Sequence, residues 1–87
     1  MPQADTSEIQ KIGFNESVEV LSKKMHVQTE VFVLDRVLVK TTVLEGGIVR
    51  FVDTETCPTR GWTLEQIEAF VFAQHARNVA RMRRGRG

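Results

Sequence analysis

MHVQTEVFVLDRVLVKTTVLEGGIVRFVD, residues 25–53, is rich in Val, Thr, Phe and Ile and is broken only at Leu34-Asp35 and at Glu45-Gly46-Gly47. β-Branched and aromatic side chains fit the pleated, half-buried surface of a sheet, so this stretch predicts an antiparallel meander. In the strand from Met25 to about Val33, His26, Gln28 and Glu30 alternate with Val27, Thr29 and Val31, setting a polar row against a mostly apolar one. The next strand, Val37 to Leu44, places Val37, Val39, Thr41 and Val43 on one face and Leu38, Lys40, Thr42 and Leu44 on the other. Asp35 and Arg36 mark a tight reversal without a glycine. Gly46-Gly47 tolerates the positive φ that a right-twisted hairpin turn requires. Two-residue and three-residue loops there put opposite side-chain sets on the core face, which leaves the register open. Ile48 to Thr54 forms the fourth strand, and Cys57-Pro58 ends it because proline cannot donate to a ladder.

Upstream, residues 14–25 carry two patterns. Val18-Glu19-Val20 alternates as a strand, while Phe14, Val18, Leu21 and Met25 fall at helical spacing, with Asn15 as a possible cap and Glu19 to Lys23 as an i,i+4 pair. A strand over Ser17–Ser22, turning at Ser22-Lys23-Lys24, is preferred because it covers an otherwise open sheet edge. Residues 1–13, with Ile9 and Ile12 as spaced apolar residues among polar ones, are expected to form a flexible terminus. Downstream, Thr63 to about Arg84 predicts one long helix. Thr63 and Gln66 make a capping box, glutamates sit near the positive end of the dipole, and arginines crowd the negative end. Leu64, Ile67, Val71, His75 and Met82 form its inward stripe, with Phe72 and Val79 at the margin and Phe70 on the outer side. The expected organisation is a single α+β domain over 14–84, an antiparallel β-meander of three to four strands followed by one long C-terminal α-helix packed on one face. Residues 85–87 are expected to be a flexible basic tail.

Eighty-seven residues make one domain at most, and 41% hydrophobic with 26% charged residues describes a globular chain. No apolar run approaches the roughly 18 residues of a membrane span, residues 1–13 lack the pattern of a secretory signal, and a lone Cys57 forms no internal disulfide. The expectation is a cytoplasmic protein. The net charge of +1 hides an asymmetry, for Arg77, Arg81, Arg83, Arg84 and Arg86 lie within the last eleven residues, whereas the preceding part carries seven Lys/Arg against eleven Asp/Glu. A basic end on an acidic body points to an anionic partner, to folding back on the body, or to solubility alone.

Three pieces together resemble a small group of bacterial proteins of unassigned function: HVQTE at 26–30, TTVLEGGIV at 41–49 and QHARNVARMRRG at 74–85. The resemblance implies a meander of about four strands with one helix and implies no activity. The chain departs from the group's pattern after Glu30, where Val31-Phe32-Val33-Leu34 continues the strand in place of an acidic residue and a glycine. No tyrosine follows the fourth strand either.

His26, Gln28 and Glu30 on one strand face, with His75 on the inward helical stripe, form a candidate small-ligand or proton-transfer cluster. The plainer alternative is His75 packed in the core and hydrogen-bonded to Gln28, Thr29 or Glu30. Metal-ligand spacings, a nucleophile elbow and a phosphate loop are all missing from the sequence, so no catalytic residue, metal or cofactor is assigned. The arginines are a candidate anion or nucleic-acid surface, although the stacking platforms of single-strand binders are missing. The leading expectation is a non-catalytic module that binds itself as a homodimer, or binds another protein. One helix covers one sheet face and leaves Phe32, Leu34 and Leu38, together with Phe70, as contact surface.

Overall fold

In the computed structural model, which describes residues 5–84, a short helix α1 (Thr6–Ile9) leads into strands β1 (Gly13–Val20), β2 (Lys23–Val33), β3 (Val37–Glu45) and β4 (Ile48–Cys57), and helix α2 (Leu64–Arg83) follows. The strands form one antiparallel sheet in the order β1-β2-β3-β4, and α2 packs on one face of it, the expected α+β meander. Among the described residues no helix is long and apolar enough to cross a membrane.

Both outer hairpins use two-residue turns with positive φ at each position. Gly46 and Gly47 (φ 57° and 82°) do so freely, whereas Leu21 and Ser22 (φ 52° and 69°) adopt the same conformation with side chains attached. The first turn is therefore Leu21-Ser22 rather than Ser22-Lys23-Lys24, and β1 is a full strand that starts at Gly13. Between β2 and β3 the chain reverses through Leu34-Asp35-Arg36, closed by the Leu34 amide donating to the Arg36 carbonyl at 2.9 Å.

The register left open at the glycine turn is decided by a bulge. Glu45 pairs with Ile48 and Leu44 with Val49, but Val43 pairs with Phe51, so Arg50 is an extra residue in β4. Beyond it the side-chain parity of β4 is reversed. Phe51, Asp53, Glu55 and Cys57 turn toward α2, and Val52, Thr54 and Thr56 turn away.

Residues 5–13 are not the loose terminus expected. Asp5 caps α1 by accepting from the Ser7 amide at 3.0 Å, and Ile9 and Ile12 are buried in the core. Two isoleucines suffice to dock this segment because they cover the end of the sheet beyond the start of α2, against Val37 and Ile67. Residues 1–4 and the tail 85–87, Arg86 included, lie outside the described residues.

Helix α2 begins as its sequence predicts. The Gln66 amide donates to Thr63 Oγ1 at 3.2 Å, and the Thr63 amide donates to Gln66 Oε1 at 2.8 Å. Its buried face comprises Ile67, Val71, Gln74, His75, Asn78, Val79 and Met82, two of which the apolar stripe omits. Phe70 is not on the outer side of the helix. It is half-buried against the core, with its ring 6.0 Å from that of Trp62, while Phe72 is the exposed one, at 54%, edge-on to Phe14.

Candidate functional site: a buried polar belt and an open sheet face

The core is two apolar clusters with a polar belt between them. One gathers Ile9, Ile12, Val31, Val37, Val39, Ile67 and Val71, the other Val18, Met25, Val27, Val43, Val79 and Met82. Cross-strand pairing lays Phe14, Thr29, Thr41 and Asp53 in one row beneath α2. Threonine suits such a row because its branched Cβ fits the strand and its hydroxyl can bond across to a neighbour. Above the row, one turn of α2 supplies Gln74, His75 and Asn78.

The amide nitrogen of Gln74 donates to the Val39 carbonyl (3.1 Å), the Asp53 carbonyl (3.0 Å) and Thr41 Oγ1 (3.3 Å). Thr41 Oγ1 lies 2.9 Å from Thr29 Oγ1, Thr29 Oγ1 lies 2.8 Å from His75 Nδ1, and His75 Nε2 lies 3.1 Å from Glu16 Oε1. The chemistry of these groups sets one direction. A carboxylate only accepts, so His75 Nε2 carries the proton and, in the neutral ring, Nδ1 accepts from Thr29. Thr29 then accepts from Thr41, which accepts from the Gln74 amide. Asn78 donates to Asp53 Oδ2 at 3.0 Å and to the Gln74 carbonyl at 2.9 Å. Gln74 Oε1 and Asn78 Oδ1 are buried with no partner in the protein among the described residues.

Hydroxyl, imidazole and carboxylate stand here at the distances of a nucleophile, its base and an orienting acid. Access is what differs, for Thr29 is 1% exposed beneath the helix. The belt works as a pin: each bond is satisfied at one axial position of α2 on the sheet, and a slip of the helix breaks them together.

The proposed ligand cluster does not assemble. His26, Gln28 and Glu30 lie on the face of the sheet turned away from α2, because strand parity separates them from Thr29, and His75 bonds Thr29 and Glu16 instead. His26 meets Ser17 Oγ at 3.5 Å on that far side. Of the groups in the belt, Glu16, Gln74, Asn78 and Asp53 were not picked out by the sequence. The available signal was positional: Gln74 and Asn78 are four apart and flank His75 on the inward arc.

The arginines are not a free array along one side of the helix. Arg77 pairs with Asp53 Oδ2 at 3.2 Å and with Glu55, and Arg81 lies 4.7 Å over the Phe51 ring. Arg83 crosses to the opposite flank, 3.6 Å from Glu16 Oε2. Acidic side chains turned toward α2 by the bulge and by β1 thus draw cations down onto the sheet, which sequence spacing alone does not reveal. On the β1 flank Glu16, Phe72, His75, Ala76, Arg83 and Arg84 border a shallow groove of about 450 Å³. Among the described residues no group of three His, Cys, Asp or Glu is placed to hold a metal. Burial pushes the Cys57 thiol up from its ordinary range.

Among the described residues nothing covers the far face of the sheet. Its rows, read across β2 and β3, are His26 with Leu44, Gln28 with Thr42, Glu30 with Lys40, and Phe32 with Leu38. Val49 and Val52 of β4 extend two of these rows and are more than 40% exposed, as are Phe32 and Leu34. Comparison of the chain with protein-family models, with curated proteins and with solved structures finds no match.

Proposed function

We propose that this chain is a non-catalytic assembly module that associates with itself through the open face of its sheet. The observation that carries this reading is the uncovered set Phe32, Leu34, Val49 and Val52, joined by half-buried Leu38 and Leu44, on a sheet whose other face is already occupied by α2. These residues form two exposed apolar patches, Phe32, Leu34 and Leu38 at one end of the face and Leu44, Val49 and Val52 beyond the Glu30–Lys40 row, and exposed apolar patches mark contact sites. A covered Thr29 and a protonated, buried Cys57 favour binding over covalent chemistry. Phe70 drops out of the contact surface because it packs inward.

The test is sedimentation equilibrium at low and high salt, on the wild type and on Phe32→Glu. A dimer that persists in high salt and is lost in a normally folded Phe32→Glu variant is the expected result. A wild type that stays monomeric, or a Phe32→Glu variant that associates as before, overturns it.

Anion or nucleic-acid binding through Arg77, Arg81, Arg83, Arg84 and Arg86 is the second reading, and it is weakened by the engagement of three of these with Asp53, Glu55, Phe51 and Glu16. Removing residues 83–87 separates the two. Self-association survives the truncation if the open face carries it, and a monomeric product contradicts the assignment.

A further inference from the structure

The open face is banded, and the choice of two-fold axis decides whether its charged row meets opposite charges in a second copy. Along β2 and β3 an apolar row, Phe32 with Leu38, is followed by an ionic row, Glu30 with Lys40, then by an amide–hydroxyl row, Gln28 with Thr42, and last by His26 with Leu44. A second sheet laid on this face about a two-fold axis running across the strands keeps each strand over itself and reverses the row order, which sets Glu30 against Gln28, or against Glu30 of the second copy, and leaves its charge without an opposite one. An axis parallel to the strands, midway between β2 and β3, keeps every row at its own height and exchanges β2 with β3. Phe32 then faces Leu38 of the second copy, and Glu30 faces Lys40 of the second copy, twice over by symmetry.

We infer that the occupant of the open face is a second copy of this chain, related by a two-fold axis parallel to β2 and β3, with Glu30 of each copy opposite Lys40 of the other. This rests on the assembly reading above and deepens it. The register is most closely kept at the centre of the face, where Glu30 and Lys40 lie, since packed sheets rotate by about 30° and diverge toward the corners. Four strands about 4.8 Å apart and about 30 Å long offer roughly 600 Å² per copy, below the roughly 800 Å² of standard interfaces, so the dimer is reversible.

Charge reversal tests the arrangement. Glu30→Lys alone gathers four cations at the centre of a homodimer and Lys40→Glu gathers four carboxylates, so each weakens self-association by roughly a hundredfold. An equimolar mixture of the two variants restores a heterodimer, with Lys against Glu at both contacts across the interface. Mixing cannot restore the cross-strand pair inside either chain, so recovery on mixing reports the contact between copies. The double variant Glu30→Lys/Lys40→Glu keeps its internal pair and folds even if the single reversals do not. It is expected to dimerise with itself as the wild type does and to exchange no subunits with the wild type, read by native mass spectrometry or by energy transfer between labelled chains.

Single variants that dimerise normally, a mixture that stays monomeric, or free exchange between double variant and wild type would each overturn the arrangement. If Phe32→Glu still abolishes the dimer in those cases, the open face stands as the interface and only the axis is wrong. A wild type that is monomeric throughout overturns both.

Discussion

The two faces of this sheet are made by the same four strands with the same alternation, yet they differ in the way opposite to a simple inside-outside rule. The covered face has hydroxyl, amide, imidazole and carboxylate groups across its middle, at Thr29, Thr41, Gln74, His75, Asn78 and Asp53. Phenylalanine and leucine stand on the uncovered face. Apolar content alone therefore does not explain which face the helix chose. What α2 finds on the inner face is a row of partners for its own polar turn, flanked by apolar clusters on both sides. A buried polar group without a partner costs about 1–3 kcal/mol, so the belt penalises every misplaced docking of the helix more than it stabilises the correct one. The open face has polar and apolar rows too, but none of them meets a covering layer among the described residues.

The largest expected effect comes from upsetting the register that puts Phe51 and Asp53 on the covered face. Deleting the extra residue Arg50 would leave Val49 opposite Leu44 and Phe51 opposite Val43, a regular ladder, whereas a deletion of Val52 forces a change of face. Either Asp53 and the residues after it slip by one position and turn outward, away from Asn78 and Arg77, or they keep their partners by using up the bulge, and Arg50 then falls opposite Val43 while Phe51 leaves the second apolar cluster. The expected loss is about 3 kcal/mol or more in urea unfolding, from a displaced core aromatic or a broken polar belt. A Val52 deletion as stable as the wild type would mean that neither Phe51 nor Asp53 is held to the covered face.

A smaller effect compares one residue type on the two faces. Gln74→Ala removes the donor to the Val39 and Asp53 carbonyls and to Thr41, and is expected to cost about 1–3 kcal/mol. Gln28→Ala, on the open face of β2, is expected to stay within about 0.5 kcal/mol. Equal losses at the two sites would show that the open face is organised as tightly as the covered one.

Much of this architecture was legible beforehand. Period-two alternation in residues 25–44, the glycine turn and the Thr63–Gln66 box predicted the three strands after Ser22 and the helix, because each is a local signal with a local cause, whereas β1 carried a helical spacing as well. The belt was only half legible. His75 was assigned to the inward stripe with Thr29 among its possible partners and the face of Thr41 left open, but Gln74 and Asn78 were left off the stripe because an apolar template cannot register polar residues that are buried in pairs. His26, Gln28 and Glu30 were grouped with His75 across a parity boundary that one strand's alternation already separates. The bulge at Arg50 lies beyond local reading, since an extra residue in one strand is defined only against its partner. The placing of Phe70 inward against Trp62, and of Phe72 outward beside Phe14 of β1, likewise depends on residues outside the helix, Phe14 being far off in sequence.

The smallest expected effect follows from Cys57, which sits on the covered side at the end of β4, next to Thr56 on the open side. Burial pushes its thiol up from the ordinary 9.0, because the thiolate would lose its water there. A group whose folded value is raised holds its proton longer in the folded state, so its contribution is fully present below the unfolded value and declines as pH rises through the folded one. At pH 9 the unfolded chain has already released about half of this proton, which weakens folding by at most about 0.4 kcal/mol relative to neutral pH. Cys57→Ala removes that increment, and Thr56→Cys in the same background does not bring it back, because a thiol on the open face titrates alike in both states. The measurement is the difference in urea midpoint between pH 7.5 and pH 9 across the three proteins. A wild type with the same pH dependence as Cys57→Ala would place Cys57 in contact with solvent, and the covered face would then end before the last residue of β4.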